Sequence, residues 1–311
     1  GIGGNDATVM IKNSTVDYAC GGHIQPLCIN DPKYGKSEPE GGAAIGGAVV
    51  KIEGSTVTKA DGGSKAAAIG AQYWQSTAIE IVNSTIVEAN GGNASAGIGG
   101  SRYNGDAKHN VSVKILNSNV TATGGQFGAG IGAGYDTHCN GEKYTATNHI
   151  EIDATSVINA KGGKYAPGIG TGYHSAYLTG SIAAGAQVTA VAGDETFYKD
   201  SYTTAQNIGY GVVDPAREFS GNNANVTFTV AGEVIAAPVA SYLEDADGNV
   251  TISDAVGLQK FASEVNNGKS FVGKTVSLVA DIDLANAAWT PVGQTGATQF
   301  RGTFNGQGYT I

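Results

Sequence analysis

The chain has 311 residues, 41% of them hydrophobic, only 14% charged, and a net charge of −9. No basic stripe is available to neutralise phosphates, so nucleic-acid binding by that route is not expected, and no run of 18 apolar residues is available to span a membrane. Gly supplies 48 residues, roughly twice the usual share of about 7%, without a collagen triplet.

Those glycines sit in a repeat. The stretches "GGSKAAAIGA", "GGNASAGIGG", "GGQFGAGIGA" and "GGKYAPGIGT" keep six residues from the second Gly to the next Ile, as in Gly63–Ile69 and Gly163–Ile169. Each repeat then carries a β-branched pair, a polar corner and a third β-branched residue. The pairs are Val9/Ile11, Val50/Ile52, Ile79/Ile81, Val113/Ile115 and Ile150/Ile152. The corners begin at Asn13, Gly54, Asn83, Asn117 and Ala154, and the third residues are Val16, Val57, Ile86, Val120 and Val157. β-Branched residues favour strands, and residues two apart share a strand face. The third residue has the opposite parity, so the corner must bend for all three to point inward. It carries Ser14, Ser55, Ser84, Ser118 and Thr155 as a hydroxyl column. The Gly-Gly pair reads as a second corner, with Gly supplying backbone angles that other residues resist.

Three short strands per repeat, three corners and identical residues in line predict an all-β parallel β-helix. Seven coils are anchored at Ile2, Ile45, Ile69, Ile98, Ile131, Ile169 and Ile208. Strand spacing makes such a stack roughly 30 to 35 Å tall. Residues 1–237 are assigned to it.

The connection from the anchor Ile to the next pair varies, at 7, 5, 10, 15 and 19 residues in the first five repeats. These insertions leave from one corner and crowd one side, where solenoids often bind ligands. Four residues after the anchors stand Tyr73, Arg102, Tyr135 and Tyr173, with Trp74, Tyr103, Lys108 and Asp136 close by. Flat aromatic faces suit sugar rings, and the charged groups suit hydroxyls or carboxylates. The competing reading is that these rings pack the loops onto the wall.

Catalytic and metal chemistry is thin. No adjacent Asp-Asp and no Gly-His-Gly occurs, so the polygalacturonase pattern is missing. A calcium-dependent lyase would have to draw on Asp106, Asp136, Arg102 and Lys108. His138, Cys139 and His149 lack a second close ligand pair for zinc. The run 243–254 resembles a calcium loop, but Leu243 stands at the first ligand position, so it reads as a turn followed by a helix cap. No cofactor is therefore expected, with calcium as the one alternative. Cys20 and Cys28 flank a short loop, where either a disulfide or free thiols fits.

Beyond residue 181 the pattern weakens but still reads as strands. Residues 238–250 look like a linker. "SDAVGLQKFASEVNNG" reads as an amphipathic helix, capped by Ser253 or Asp254 and stopped by Gly268, with Leu258, Phe261, Ala262 and Val265 as its apolar stripe. Residues 251–311 are read as a helix capping the β-helix, followed by the start of a second, incomplete β-helix. The chain opens and stops inside motifs, which suggests a piece of a larger multidomain protein.

The repeat "GAGIGA…VKILNSNVTATGG" resembles right-handed β-helix repeats in large surface proteins of Gram-positive gut and cellulolytic bacteria. It also resembles the carbohydrate-binding β-helix family related in shape to pectate lyases. "NNGKSFVGKTVSLVADIDL…WTPVG…FRGTFNGQGYTI" is similar to a recurring module of bacterial adhesins and surface peptidases. These resemblances imply a right-handed β-helix, an extracellular or cell-surface location, and a polysaccharide or host glycan as partner. The expectation is a non-catalytic carbohydrate-binding module or adhesin. The alternatives are a lyase or hydrolase acting on acidic polysaccharide, and a passive stalk.

Overall fold

The computed structural model describes residues 1–22, 41–72, 75–102, 110–135, 147–173, 177–193, 205–211, 228–235, 242–245, 247–284, 289–293, 295–296 and 298–311. Among them the protein is all-β apart from one helix, and its sheets are mostly parallel. The described residues up to 235 form one compact unit and those from 242 onward a second.

In the first unit the repeats contribute short strands to three sheets. The first sheet pairs the seven Ile-Gly strands in chain order, from Ile2–Gly3 to Ile208–Gly209, with Ile opposite Ile throughout. The second sheet runs in parallel from Thr8–Lys12 through Val49–Glu53, Thr77–Val82, Val111–Leu116, Thr147–Ile152 and Tyr177–Ile182 to Phe228–Val230. The third sheet stacks Thr15–Val16, Thr56–Val57, Thr85–Asn90, Asn119–Thr123, Val157–Lys161 and Gln187–Val191. Ile and Val from all three sheets meet in one core, and the anchors from Ile45 to Ile169 are fully buried.

The corner after the second sheet turns as its parity requires. Asn13, Gly54, Asn83 and Asn117 hold φ of 49°, 56°, 49° and 45°, in the left-handed region that Asn and Gly tolerate best. The hydroxyls then tie repeat to repeat. The backbone N–H groups of Ser14, Ser55 and Ser84 donate to the Oγ atoms of Ser55, Ser84 and Ser118 at 3.1, 3.1 and 3.0 Å. Each of those Oγ atoms donates in turn to a carbonyl two residues back. The corner polar groups are thereby satisfied without water.

The fifth repeat corrects the sequence reading by one residue. Its inward residue is Ile158, paired with Val120 and 1% exposed, whereas Val157 pairs with Asn119 and is 41% exposed. Five residues separate Ile152 from Ile158, against four between Ile115 and Val120, so the hydroxyl column passes to Ser156 rather than Thr155. Asp153 absorbs the extra residue. Its carboxylate accepts the Ser156 hydroxyl at 2.6 Å, the Thr155 hydroxyl at 2.8 Å and the Asn117 N–H at 3.1 Å. Burial works against its charge, but these donors together outweigh burial and hold the carboxyl below its ordinary range.

The Gly-Gly corner is correctly placed, but its physical reason differs. Neither Gly124 nor Gly125 has positive φ. A Cβ on Gly125 would instead lie 1.8 Å from the Gly92 carbonyl oxygen of the preceding repeat. Glycine is needed there for close backbone approach.

In the second unit Tyr242–Glu244 pairs antiparallel with Val250–Ile252, which continues in parallel to Thr275–Leu278 and Thr303–Asn305. The stretch 238–250 therefore is not all linker: Tyr242 and Val250 are buried in this unit's core. Asp245 closes the hairpin turn by accepting the N–H groups of Asp247 and Asn249 at 2.9 and 2.8 Å. Asp254 caps helix α1, Ala255–Asn266, through the Gly257 N–H. Gly268, with φ of 100°, ends it while the Gly268 and Lys269 N–H groups bond Val265 and Glu264 carbonyls. The apolar stripe packs on its own sheet, with Phe261 edge-on to Phe271 and Phe300. No described helix is long and apolar enough to cross a membrane.

Candidate functional site

The candidate site grows from the anchor strands of the first unit. After each Ile-Gly strand the chain runs out of the core, and the fourth residue after Ile98, Ile131 and Ile169 is Arg102, Tyr135 and Tyr173. The backbone fixes all three alike. Their N–H groups donate to the carbonyls of Lys65, Ala94 and Phe127, each in the turn of the preceding repeat, at 3.4, 2.8 and 3.0 Å. Those turns are closed by the bonds Ala66 N–H to Gly63 O, Ser95 N–H to Gly92 O and Gly128 N–H to Gly125 O. Their third residues are Lys65, Ala94 and Phe127, and Tyr165 occupies that place one repeat on. Lys65, Ala94 and Tyr165 hold φ of 62°, 64° and 65°, unusual for residues with side chains.

Two columns therefore run side by side, and their rings meet. Tyr135 and Tyr173 stack with centroids 5.2 Å apart and planes 24° apart. Phe127 lies 5.1 Å from Tyr135, 5.5 Å from Tyr173 and 5.8 Å from Tyr165, the last nearly parallel at 14°. The Arg102 guanidinium sits over the Tyr135 ring at 5.8 Å. This spacing follows from parallel strands about 4.8 Å apart, which bring residues at one repeat position to ring-stacking distance.

The consequence for ligand binding is direct. Tyr135 meets Arg102 from the repeat before and Tyr173 from the repeat after, so its ring is shared between neighbours in the column. Tyr173 is only 6% exposed. Each ring thus has a neighbouring side chain against it, and a sugar laid flat on that contact would have to displace the neighbour.

Of the eight residues expected to form the ligand face, the structure brings together Arg102, Tyr135 and Tyr173. Tyr73, Trp74, Tyr103, Lys108 and Asp136 lie outside the described residues, as do Asp106 and Cys28. Phe127 and Tyr165 were missed, although each stands four residues before its anchor Ile, in "GGQFGAGIGA" and "GGKYAPGIGT". That recurrence was legible. Among the described residues no group of three His, Cys, Asp or Glu side chains is placed to hold a metal ion.

The outward charges of the second sheet serve pairing. Lys51, Glu80, Lys114 and Glu151 alternate in register, and Lys51–Glu80 and Lys114–Glu151 close at 3.2 and 3.6 Å. His149 lies between Thr179 at 2.9 Å and Glu151 at 3.1 Å. Comparison of the chain with known protein families, curated proteins and solved structures gives no match.

Proposed function

We propose that the first unit closes into a right-handed parallel β-helix of an extracellular, cell-surface protein that binds carbohydrate without catalysis, as an adhesin or carbohydrate-binding module does. One observation carries this reading. Arg102, Tyr135 and Tyr173 come from three separate repeats and stand in a single column. The segments that follow Arg102 and Tyr135 in sequence carry Tyr103, Lys108 and Asp136. The column is where those segments begin. Contact with a polysaccharide or host glycan is assigned to Tyr73, Trp74, Tyr103, Lys108 and Asp136, together with Arg102 and Tyr135 of the column.

A glycan array with the purified chain, in calcium and then in chelator, tests this. Binding to a defined glycan class supports it, and loss in chelator adds a calcium site near Asp106 and Asp136. Release of new reducing ends or unsaturated products from pectin-type polymers supports the lyase or hydrolase reading. A blank array from folded protein favours a passive stalk, the reading to which the mutual stacking of Tyr135 and Tyr173 lends weight.

A further inference from the structure

The second unit carries a groove with a different chemistry. Helix α1 buries Leu258, Phe261 and Val265 on one side and leaves Gln259, Ser263 and Asn266 along another, at spacings of four and three. With Asn267, Trp289 and Thr290 they line a groove of about 430 Å³, within the range of about 300 to 1,000 Å³ common for small-ligand sites. The described lining holds three carboxamides, two hydroxyls and one indole, and no charged side chain.

The groove is also built rather than incidental. The Asn266 Nδ2 donates to the Pro291 carbonyl at 3.0 Å, and its Oδ1 accepts the Gly293 N–H at 2.9 Å. These bonds pin the segment carrying Trp289 to the helix. Trp289 remains 38% exposed, large for an indole beside an apolar core. Its N–H and the Gln259 carboxamide make no hydrogen bond within the protein among the described residues.

We infer that this groove binds a neutral saccharide, with a sugar ring against the Trp289 indole and its hydroxyls on Gln259, Ser263 and Asn267. A sugar offers an apolar C–H face and a rim of groups that both donate and accept. Indole matches the first and carboxamides match the second. The uncharged lining offers no counter-charge to an acidic sugar. A peptide would call for a row of backbone groups from a strand edge, whereas the polar groups here are helix side chains. The site belongs to the second unit and does not rest on the reading of the first.

The test is a titration of the full chain in a Trp74→Phe background, where tryptophan emission reports Trp289 alone, since the chain has two Trp. The probes are cellobiose, maltose, lactose and N,N′-diacetylchitobiose, with digalacturonate and triglycine for comparison. A saturable emission change with at least one neutral disaccharide is expected. Gln259→Ala and Ser263→Ala should each weaken it by roughly 2- to 10-fold, the worth of one hydrogen bond. Trp289→Ala should abolish the binding heat measured by calorimetry. If that variant does not fold, the Gln259→Ala/Ser263→Ala pair decides. No saturable change with any neutral disaccharide, unchanged affinity in the pair, or binding of triglycine alone would overturn the inference. Glycan-array binding lost through Tyr103 or Lys108 variants leaves this site untouched, so the two sites fail separately.

Discussion

The ring column of the first unit and Trp289 of the second both place aromatic side chains near the surface, but under different constraints. In the column, Tyr135 and Tyr173 occupy one position in successive repeats, so the repeat spacing stacks them on each other. Trp289 has no repeat above or below it and keeps 38% of its surface exposed beside a groove of amides and hydroxyls. In a stacked architecture, a periodic aromatic first signals a ring satisfied by its neighbours. A solitary one beside polar groups is the better sign of a face open to a ligand.

This contrast can be broken at several points. The largest effect belongs to the shared core. Ile131→Ala and Ile158→Ala should each cost about 4 kcal/mol in chemical denaturation, since both are buried in the one core of the first unit. Val157→Ala should stay within about 0.5 kcal/mol, because that side chain points outward. Equal costs at 157 and 158 would undo the register of the fifth repeat.

Next comes the column itself. Tyr173→Ala should cost about 3 kcal/mol, the loss of a buried aromatic. Trp289→Ala should cost less than about 1 kcal/mol, the scale of a partly exposed site. Thermal denaturation of the two variants checks the difference, and the reverse order would invert the assignment of packing and binding roles.

The smallest effect is at Asp153. Its carboxyl is held below the ordinary value in the folded chain, so its contribution is complete above the unfolded value and is lost as pH falls through the folded one. Asp153→Asn should lower stability at neutral pH by about 1 kcal/mol, since the amide keeps one accepting oxygen and loses the charge that strengthens these bonds. It should also flatten the fall in Tm from roughly pH 5 to pH 2. A variant with the wild-type acid profile would remove Asp153 from the corner.

Much of this was legible because columns of identical residues leave a periodic trace. The Ile anchors, the inward pairs, the Ser hydroxyls of the first four corners and the apolar stripe of α1 all follow from spacing alone. The fifth repeat slipped because Val157 and Ile158 are both β-branched, and nothing in "DATSVI" marks which faces inward. Only the bonds of Asp153 resolve it. The glycine corner was placed correctly for an incomplete reason, since approach between repeats leaves no mark within a single repeat. Tyr242 and Val250 looked like linker because a short edge hairpin carries few apolar residues. At the candidate site, Tyr135 and Tyr173 could be read as a row, but stacking along the row depends on the spacing between repeats. Phe127 and Tyr165 stand before their anchors, inside the glycine-rich turn, where a ring does not stand out as part of the row that follows the anchors.

Tyr135→Ala, measured at once for Tm and for glycan-array binding, tests the central claim most directly. If the ring is footing rather than platform, Tm falls by several degrees while the bound glycan class persists below the new melting point. An unchanged Tm with binding abolished would contradict the account and restore Tyr135 as a surface on which sugar stacks.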